Sequence, residues 1–131
     1  MESFKVKTGR RAEFVDITAQ VQGVVRDSGI RKGVCHIYVP HTTAGLTINE
    51  NADPAVPADI IAHLEKLVPR SGDYRHAEGN SDSHIKASMM GFSETVLVEN
   101  GALVLGTWQC VYFCEFDGPR NRTVYVQVIA A

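Results

Sequence analysis

The sequence comprises 131 residues, of which 44% are hydrophobic and 21% are charged, with a formal net charge of −2. This length fits one domain over residues 1–131, and the hydrophobic fraction is too high for a disordered chain. The small net charge gives no electrostatic reason to expect nucleic acid or an anionic membrane as a partner. No apolar run could span a bilayer or serve as a signal peptide, which predicts a cytoplasmic protein.

The three cysteines are an odd number without CxxC spacing, which argues against a redox or zinc motif. Cys110 and Cys114 lie four residues apart in a predicted strand, on one face but too far apart to chelate an ion tightly. The pattern favours buried, reduced thiols over a nucleophilic cysteine.

The first half of the chain predicts strands at 4–8, 14–17, 34–39 and 45–50, with a helix after Asp16 or Thr18. Asp53-Pro54 is a strong start signal for a second helix. The strand at 34–39 carries apolar residues on both faces, which predicts that both are covered, in a sandwich or in an oligomer interface. The second helix has a predicted inward stripe of Val56, Ile60, Leu64, Leu67 and Val68.

The segment 74–91 contains two of the five histidines and predicts a polar loop followed by a short helix from Ser83 to Met90. Asp82 or Ser83 can cap that helix at its N-terminus, where free backbone N–H groups favour an anion. Three polar side chains would lie near this helix end: His84, Lys86 and Ser88. Taken alone, the segment favours a solvated loop and a docked helix over a binding site.

The rest of the chain predicts antiparallel strands, with a hairpin at Asn100-Gly101 between apolar runs at 95–98 and 102–105. Further strands are predicted at 109–116 and 123–129, joined by a polar turn at 117–122. Thr107 and Gln109 lie on one face of a predicted strand, where polar side chains either join the sheet together or face a ligand.

Three histidines, His41, His76 and His84, flank predicted turns and helix ends. Neutral imidazoles suit zinc or another first-row divalent ion, and nearby carboxylates could complete or orient such a site. The spacing contains no HExxH motif, so spacing alone favours surface histidines over a metal site. The candidate carboxylates are Glu50, Glu78 and Asp82.

Two arginines in the predicted turn at 117–122 offer planar forks suited to phosphate or carboxylate. Arg120 lies beside Asp117, which could hold its guanidinium in place, so a binding role and a solvated turn are equally favoured. For Arg122 the pattern favours a solvated turn residue.

Four strings resemble the YjbQ family, and the resemblance extends over essentially the whole chain: PHTTAGLTINENADP, HAEGNSDSHIKASMMG, GTWQ and EFDGPRNR. The resemblance implies a YjbQ-like α+β fold with a mostly antiparallel, sandwich-like sheet and two or three helices. It also implies a homotrimer with a histidine site for a metal or a ligand near the subunit interface. The positions that match the family pattern are His41, His76, His84, Asp117 and Arg120.

Some members of this family are linked to a secondary thiamine-phosphate synthase activity, which joins a pyrimidine diphosphate to a thiazole phosphate. The resemblance therefore implies a transferase assisted by a divalent ion, zinc or magnesium, with Asp117 and Arg120 as its catalytic residues. The alternatives are a metal-dependent hydrolase of a small phosphorylated or amide substrate, or a non-catalytic trimer that binds a metabolite or metal. The residues expected to hold the cofactor or substrate are Glu50, Glu78, Asp82, Lys86, Ser88 and Gln109.

Overall fold

The computed structural model describes residues 1–131 as eight strands and three helices. In chain order the elements are β1 (Glu2–Lys7), β2 (Glu13–Asp16), α1 (Thr18–Ser28), β3 (Gly33–Tyr38), β4 (Ala44–Glu50), α2 (Ala55–Leu67), α3 (Ser81–Met90), β5 (Ser93–Glu99), β6 (Ala102–Leu103), β7 (Gln109–Glu115) and β8 (Asn121–Ala130). A five-stranded sheet has the order β1-β8-β3-β5-β6, and a three-stranded sheet has the order β2-β7-β4. All pairings are antiparallel, which confirms the expected α+β fold with a sandwich-like arrangement.

The main core lies between the two sheets. Alternate residues of the larger sheet, such as Ile37 and Val126, are fully or almost fully buried and belong to the same cluster as Leu46 and Phe113 of the smaller sheet. Each such side chain contributes roughly 1.5–3 kcal/mol through burial of apolar surface. The period-two pattern read from the strands therefore describes the inward face correctly.

The outward face of the five-stranded sheet is not covered within the chain, so for the strand at 34–39 the sandwich covers one face and the oligomer interface stays a prediction for the other. Tyr38 is 50% exposed, and two further residues of this face, Leu97 at 60% and Ile129 at 48%, flank Val34. No helix lies on this face because α1 packs against β6, β7 and β8, while α3 packs on β4 of the other sheet.

Polar side chains hold the starts of α1 and α2 as the sequence indicates. The Asp16 carboxylate accepts the backbone N–H of Thr18 at 3.0 Å, and the Asp53 carboxylate accepts that of Ala55 at 2.9 Å. Of the inward stripe predicted for α2, Leu64 is buried and Val56, Ile60 and Val68 are half-buried, whereas Leu67 is 59% exposed and is the one wrong assignment. The helix docks on a small second cluster, which covers only part of its apolar side.

Helix α3 begins at Ser81, two residues before the predicted start, and Asn80 takes the N-cap position. Asp82 and Ser83 are therefore inside the helix and fully buried. The helix approaches β4 closely at Gly45, where a Cβ atom would lie 2.5 Å from the carbonyl oxygen of Gly91. Glycine at this position lets α3 lie directly against the small sheet.

The predicted hairpin is confirmed, because Asn100 and Gly101 have positive φ angles of 53° and 74°, as a type I′ turn requires. Its second strand is only Ala102–Leu103. The predicted strand character at Thr107 is wrong: the Gln109 N–H donates to the Gly106 carbonyl at 3.0 Å and closes a turn.

The three cysteines are buried and unpaired, as expected. Burial raises the pKa of Cys35 and of Cys110 to about 11, which keeps both thiols protonated and weakly nucleophilic. None of the three helices is long and apolar enough to cross a membrane.

Candidate functional site: a polar cleft

A cleft of about 360 Å³ lies where loops from both sheets meet the start of α3. No hydrophobic residue lines it. We refer to it as the polar cleft, and its ten lining residues are Pro40, His41, Thr42, Thr43, Glu78, Asn80, His84, Asp117, Arg120 and Arg122. The β3–β4 loop, the segment before α3, the β7–β8 connection and the first residues of β8 therefore converge here.

Arg122 is only 5% exposed, although the sequence predicted a solvated turn residue. Its Nε donates to Glu115 Oε1 at 2.8 Å, and its Nη2 donates to the other carboxylate oxygen of Glu115 and to Thr43 Oγ1 at 2.9 Å. The prediction fails because Arg122 is already the second residue of β8, where its side chain turns inward to a fully buried carboxylate. Its Nη1 has no hydrogen-bond partner within the chain.

Glu115 is satisfied from several directions. Besides Arg122, it accepts the Thr8 hydroxyl at 2.8 Å and the backbone N–H groups of Phe116 and Asp117 at 3.1 Å each. A carboxylate with this many donors has one preferred position, so it fixes the orientation of the arginine fork.

His41 lines the cleft and is tied to β8. The backbone N–H of Thr123 donates to His41 Nε2 at 2.9 Å. Burial lowers the pKa of His41, the positive charge of Arg122 lowers it further, and the Glu115 charge opposes both. The ring is therefore neutral at physiological pH, and because Nε2 accepts a hydrogen bond, Nδ1 carries the proton.

Asp117 and Arg120 form the pair expected from the sequence. Arg120 Nε donates to the Asp117 carbonyl at 2.8 Å, and Nη2 donates to Asp117 Oδ2 at 3.2 Å. Asn80 adds a 2.9 Å hydrogen bond to the same carboxylate oxygen, while its own Oδ1 is a buried oxygen without a partner. The Arg120 side chain is 54% exposed and its Nη1 is free, so it stands at the rim of the cleft.

The three histidines are brought together only in part. His76 and His84 form an edge-to-face pair with ring centroids 5.3 Å apart, and Glu78 lies 3.8 Å from His76 Nε2. His84 also lines the cleft that contains His41, but His76 does not. His84 is therefore the link between a histidine pair on one side and His41 on the other.

The carboxylate of Asp82 and the amine of Lys86 serve the packing of α3 rather than the cleft. Asp82 accepts hydrogen bonds from both Nη atoms of Arg11 at 3.0 and 3.1 Å and from Lys86 Nζ at 3.0 Å. Lys86 is 1% exposed and also binds Glu65 at 2.7 Å. Ser88 donates to the His84 carbonyl within the helix. None of the three predicted ligands Asp82, Lys86 and Ser88 lines the polar cleft.

Glu50 and Gln109 are paired in register at the far end of the small sheet. Ala44, at the near end of the same strand, pairs with Glu115 beside the cleft. Six residue steps of extended strand separate the two ends by roughly 20 Å. These two predicted ligands therefore lie outside the site, and Gln109 instead accepts the Gly106 N–H at 2.8 Å.

A zinc or magnesium ion finds no complete ligand set within one chain. No group of three or more histidine, cysteine, aspartate or glutamate side chains is placed to hold a metal ion. His41 offers no free lone pair, since Nε2 accepts the Thr123 N–H and Nδ1 is protonated. The predicted set of His41, His76 and His84 does not fit a metal here, and the divalent ion stays a prediction.

Five cleft residues were not predicted from the sequence, and the three of them with side-chain hydrogen bonds are Thr43, Asn80 and Arg122. Two of them lie inside the strings PHTTAG and EGNSDSH, and Arg122 ends the string DGPRNR, so their position in long polar motifs was the available signal. The contacts of Asn80 with Asp117 and of Thr43 with Arg122 each join residues more than 30 positions apart in the sequence.

Comparison with known proteins gives a consistent picture. The sequence profile of the family described as UPF0047 protein YjbQ-like matches residues 2–131. The chain is 51% identical to a UPF0047 protein of Methanocaldococcus jannaschii over 96% of this chain and 91% of that protein. It is 48% identical to UPF0047 protein YugU of Bacillus subtilis over 98% of each chain.

Solved structures share the whole fold. A conserved protein of the YjbQ/UPF0047 family from Clostridium acetobutylicum is similar with a TM-score of 0.97 and 53% identity, over 98% of this chain and 100% of that one. A protein of Sulfolobus solfataricus, described as YbjQ-like and of unknown function, gives a TM-score of 0.95 and 34% identity over 99% and 96%. These relatives bear only family names or a statement of unknown function, and none is named for thiamine-phosphate synthesis. The expected thiamine-phosphate synthase activity is therefore wrong as the main interpretation.

Proposed function

Because the chain belongs to the YjbQ-like UPF0047 family, in which these relatives carry no named reaction, we propose that it is a non-catalytic binding protein for a small polar metabolite. The observation that carries this proposal is the polar cleft, which has ten lining residues and no hydrophobic one. The metal-dependent hydrolase, the other alternative, needs a ligand set that one chain does not provide.

The size and chemistry of the cleft define the class of ligand. Its volume of about 360 Å³ lies at the lower end of the range for small-molecule sites, roughly 300–1,000 Å³. Without an apolar wall it offers little to a flat aromatic ring or an acyl chain. Its free donors are Arg120 Nη1, Arg122 Nη1 and His41 Nδ1, while the unpaired Asn80 Oδ1 and the Glu78 carboxylate are acceptors. A compact, hydrogen-bonding metabolite is the best match.

A binding experiment tests this function directly. Calorimetric titration with a panel of small sugars, carboxylic acids and phosphorylated metabolites is expected to find a ligand that binds wild-type protein. Arg120→Gln should weaken its binding about tenfold, because a hydrogen bond to a charged donor contributes roughly 1.5–3 kcal/mol. The ligand should be recovered chemically unchanged after prolonged incubation.

The matched control is Arg26→Gln on α1, an exposed arginine whose one ion pair is with Asp27. It should bind like the wild type. Turnover of the ligand, or equal weakening in both variants, would contradict a non-catalytic site in the cleft.

We also propose that the protein acts as a homotrimer in the cytoplasm. The uncovered face of the five-stranded sheet supports self-association, since Tyr38, Leu97 and Ile129 are each about half exposed or more. The three unpaired cysteines suit a reducing compartment such as the cytoplasm. Cell fractionation would test this location. Multi-angle light scattering should give about three times the 14.3 kDa of one chain, and Leu97→Glu should yield monomers. A monomeric wild type at micromolar concentration would refute the assembly.

A further inference from the structure

Two donors, the Arg122 guanidinium and the His41 ring, line the polar cleft, and both are held in place by the chain itself. The Arg122 side chain is fixed by Glu115, which takes up Nε and Nη2 and leaves Nη1 without a partner. The backbone N–H of Thr123, the next residue, holds the His41 ring. The start of β8 therefore sets the direction of both groups.

The Thr123 hydrogen bond decides the chemistry of His41. A ring nitrogen that accepts an N–H has no proton of its own, so the neutral ring carries its proton on Nδ1. That nitrogen has no partner within the chain, and the half-buried ring lines the cleft. His41 is thereby a neutral hydrogen-bond donor, and neither of its nitrogens presents a lone pair to the cleft.

We propose that Arg122 Nη1 and His41 Nδ1–H together bind the anionic group, a phosphate or a carboxylate, of the metabolite that occupies the polar cleft. This assignment rests on the proposed binding function and adds the chemical class of the ligand. Glu115 and the Thr123 N–H are the positioning groups, because each fixes a donor without facing the ligand itself.

The charges around the cleft limit the ligand to one anionic group. Arg122 is paired with Glu115, and Arg120 is paired with Asp117 at 3.2 Å, so neither arginine supplies an uncompensated charge. Glu78 adds a negative charge to the lining. Directed donors rather than net charge therefore attract the anion, and a polyanion would meet repulsion from Glu78 and Asp117.

Two substitutions of His41 separate its donor from its acceptor. The amide N–H of asparagine falls near the position of Nδ1, and the amide oxygen of glutamine falls near that of Nε2. His41→Asn therefore keeps the donor for the ligand and loses the acceptor for Thr123, whereas His41→Gln does the reverse. The matched control is His63→Gln, an exposed histidine on α2.

The expected result is a crossed pattern, with inorganic phosphate and acetate as separate probes in calorimetric titrations. His41→Gln should bind the probe about 5- to 10-fold more weakly while unfolding in urea like the wild type. His41→Asn should bind within about threefold of the wild type but unfold at lower urea concentration. The probe that binds more tightly distinguishes a phosphate-bearing from a carboxylate-bearing metabolite.

A long-range ¹H–¹⁵N spectrum of the histidine rings gives an independent readout, with the His41 signal assigned by its loss in His41→Gln. We expect the proton on Nδ1, and a proton on Nε2 would overturn the proposal. Equal affinity losses in His41→Gln and His41→Asn would also overturn it while leaving the proposed function intact. If neither probe bound but a neutral metabolite did, the anion site would be refuted and the binding function retained. If no ligand bound at all, both would be refuted.

Discussion

Arg122→Met is expected to lower the free energy of unfolding by about 3–5 kcal/mol, because it leaves a buried charge without its partner. Glu115 is fully buried and receives hydrogen bonds from Nε and Nη2 of Arg122. After the substitution, the donors from Thr8, Phe116 and Asp117 remain, but none of them carries a positive charge. Urea unfolding followed by circular dichroism measures the loss.

Two further variants show whether the loss comes from the uncompensated charge. Arg120→Met removes an arginine from the same cleft, but its pair with Asp117 is exposed, so the expected cost is below about 1 kcal/mol. The double variant Glu115→Gln/Arg122→Met removes both charges and should recover part of the stability lost in Arg122→Met. A loss in Arg122→Met no larger than that in Arg120→Met would contradict this account.

Local features of this fold were readable from the sequence because short-range chemistry determines them. The Asp16 and Asp53 carboxylates hold backbone N–H groups only two residues away, and Asn100-Gly101 adopts its turn through its own φ preferences. Strand alternation likewise identified the buried face of β8. Each of these signals lies within a few residues and needs no knowledge of the rest of the fold.

Arg122 shows where this local information ends. A polar string such as DGPRNR indicates a solvated turn, and Pro119, Arg120 and Asn121 are exposed as that pattern suggests. Arg122 becomes buried because β8 already begins at Asn121 and because Glu115, in an otherwise apolar strand, provides a buried negative charge. The two residues lie on strands of different sheets, so the sheets must pack together before either residue has its partner, and no local pattern encodes that packing.

The histidines illustrate the same limit for a site. Their shared residue type suggested one metal centre, but the fold places His76 and His84 in a pair and turns His41 toward the backbone of β8. Glu50 was a plausible partner because it follows a strand near His41 in sequence. Strand β4 carries it to the opposite end of the sheet. Residue type singled out His41 and His84, which line the same cleft, whereas the contacts of each side chain depended on the fold.

The second large effect is expected at Asp82, the residue that fastens α3 to the rest of the molecule. Burial alone would raise the pKa of its carboxyl group, but hydrogen bonds from Arg11 and Lys86 outweigh burial and lower the pKa from 3.8 to about 2. A folded-state pKa below the unfolded value means that the ionised group stabilises the native state. The shift corresponds to stabilisation on the order of 2 kcal/mol.

The sign of the shift fixes the pH dependence. The contribution of Asp82 is fully present above the unfolded pKa near 3.8 and is lost as the pH falls toward the folded value of about 2. The free energy of unfolding of Asp82→Asn should therefore be about 2 kcal/mol lower than that of the wild type at pH 7. This difference should become smaller below pH 4. Urea unfolding of both proteins between pH 7 and pH 2.5 measures the difference.

Asp27→Asn is the matched control, since Asp27 is 78% exposed and its ion pair with Arg26 is on the surface. It should follow the wild type at every pH. If the difference in free energy of unfolding between Asp82→Asn and wild type stayed constant down to pH 2.5, its cause would be disturbed packing and not the loss of the carboxylate charge. Because Asn80 and His84 flank Asp82 on the same helix end, a loosened α3 should also weaken ligand binding in the polar cleft. Stability of this helix and affinity of the cleft are thus expected to fall together.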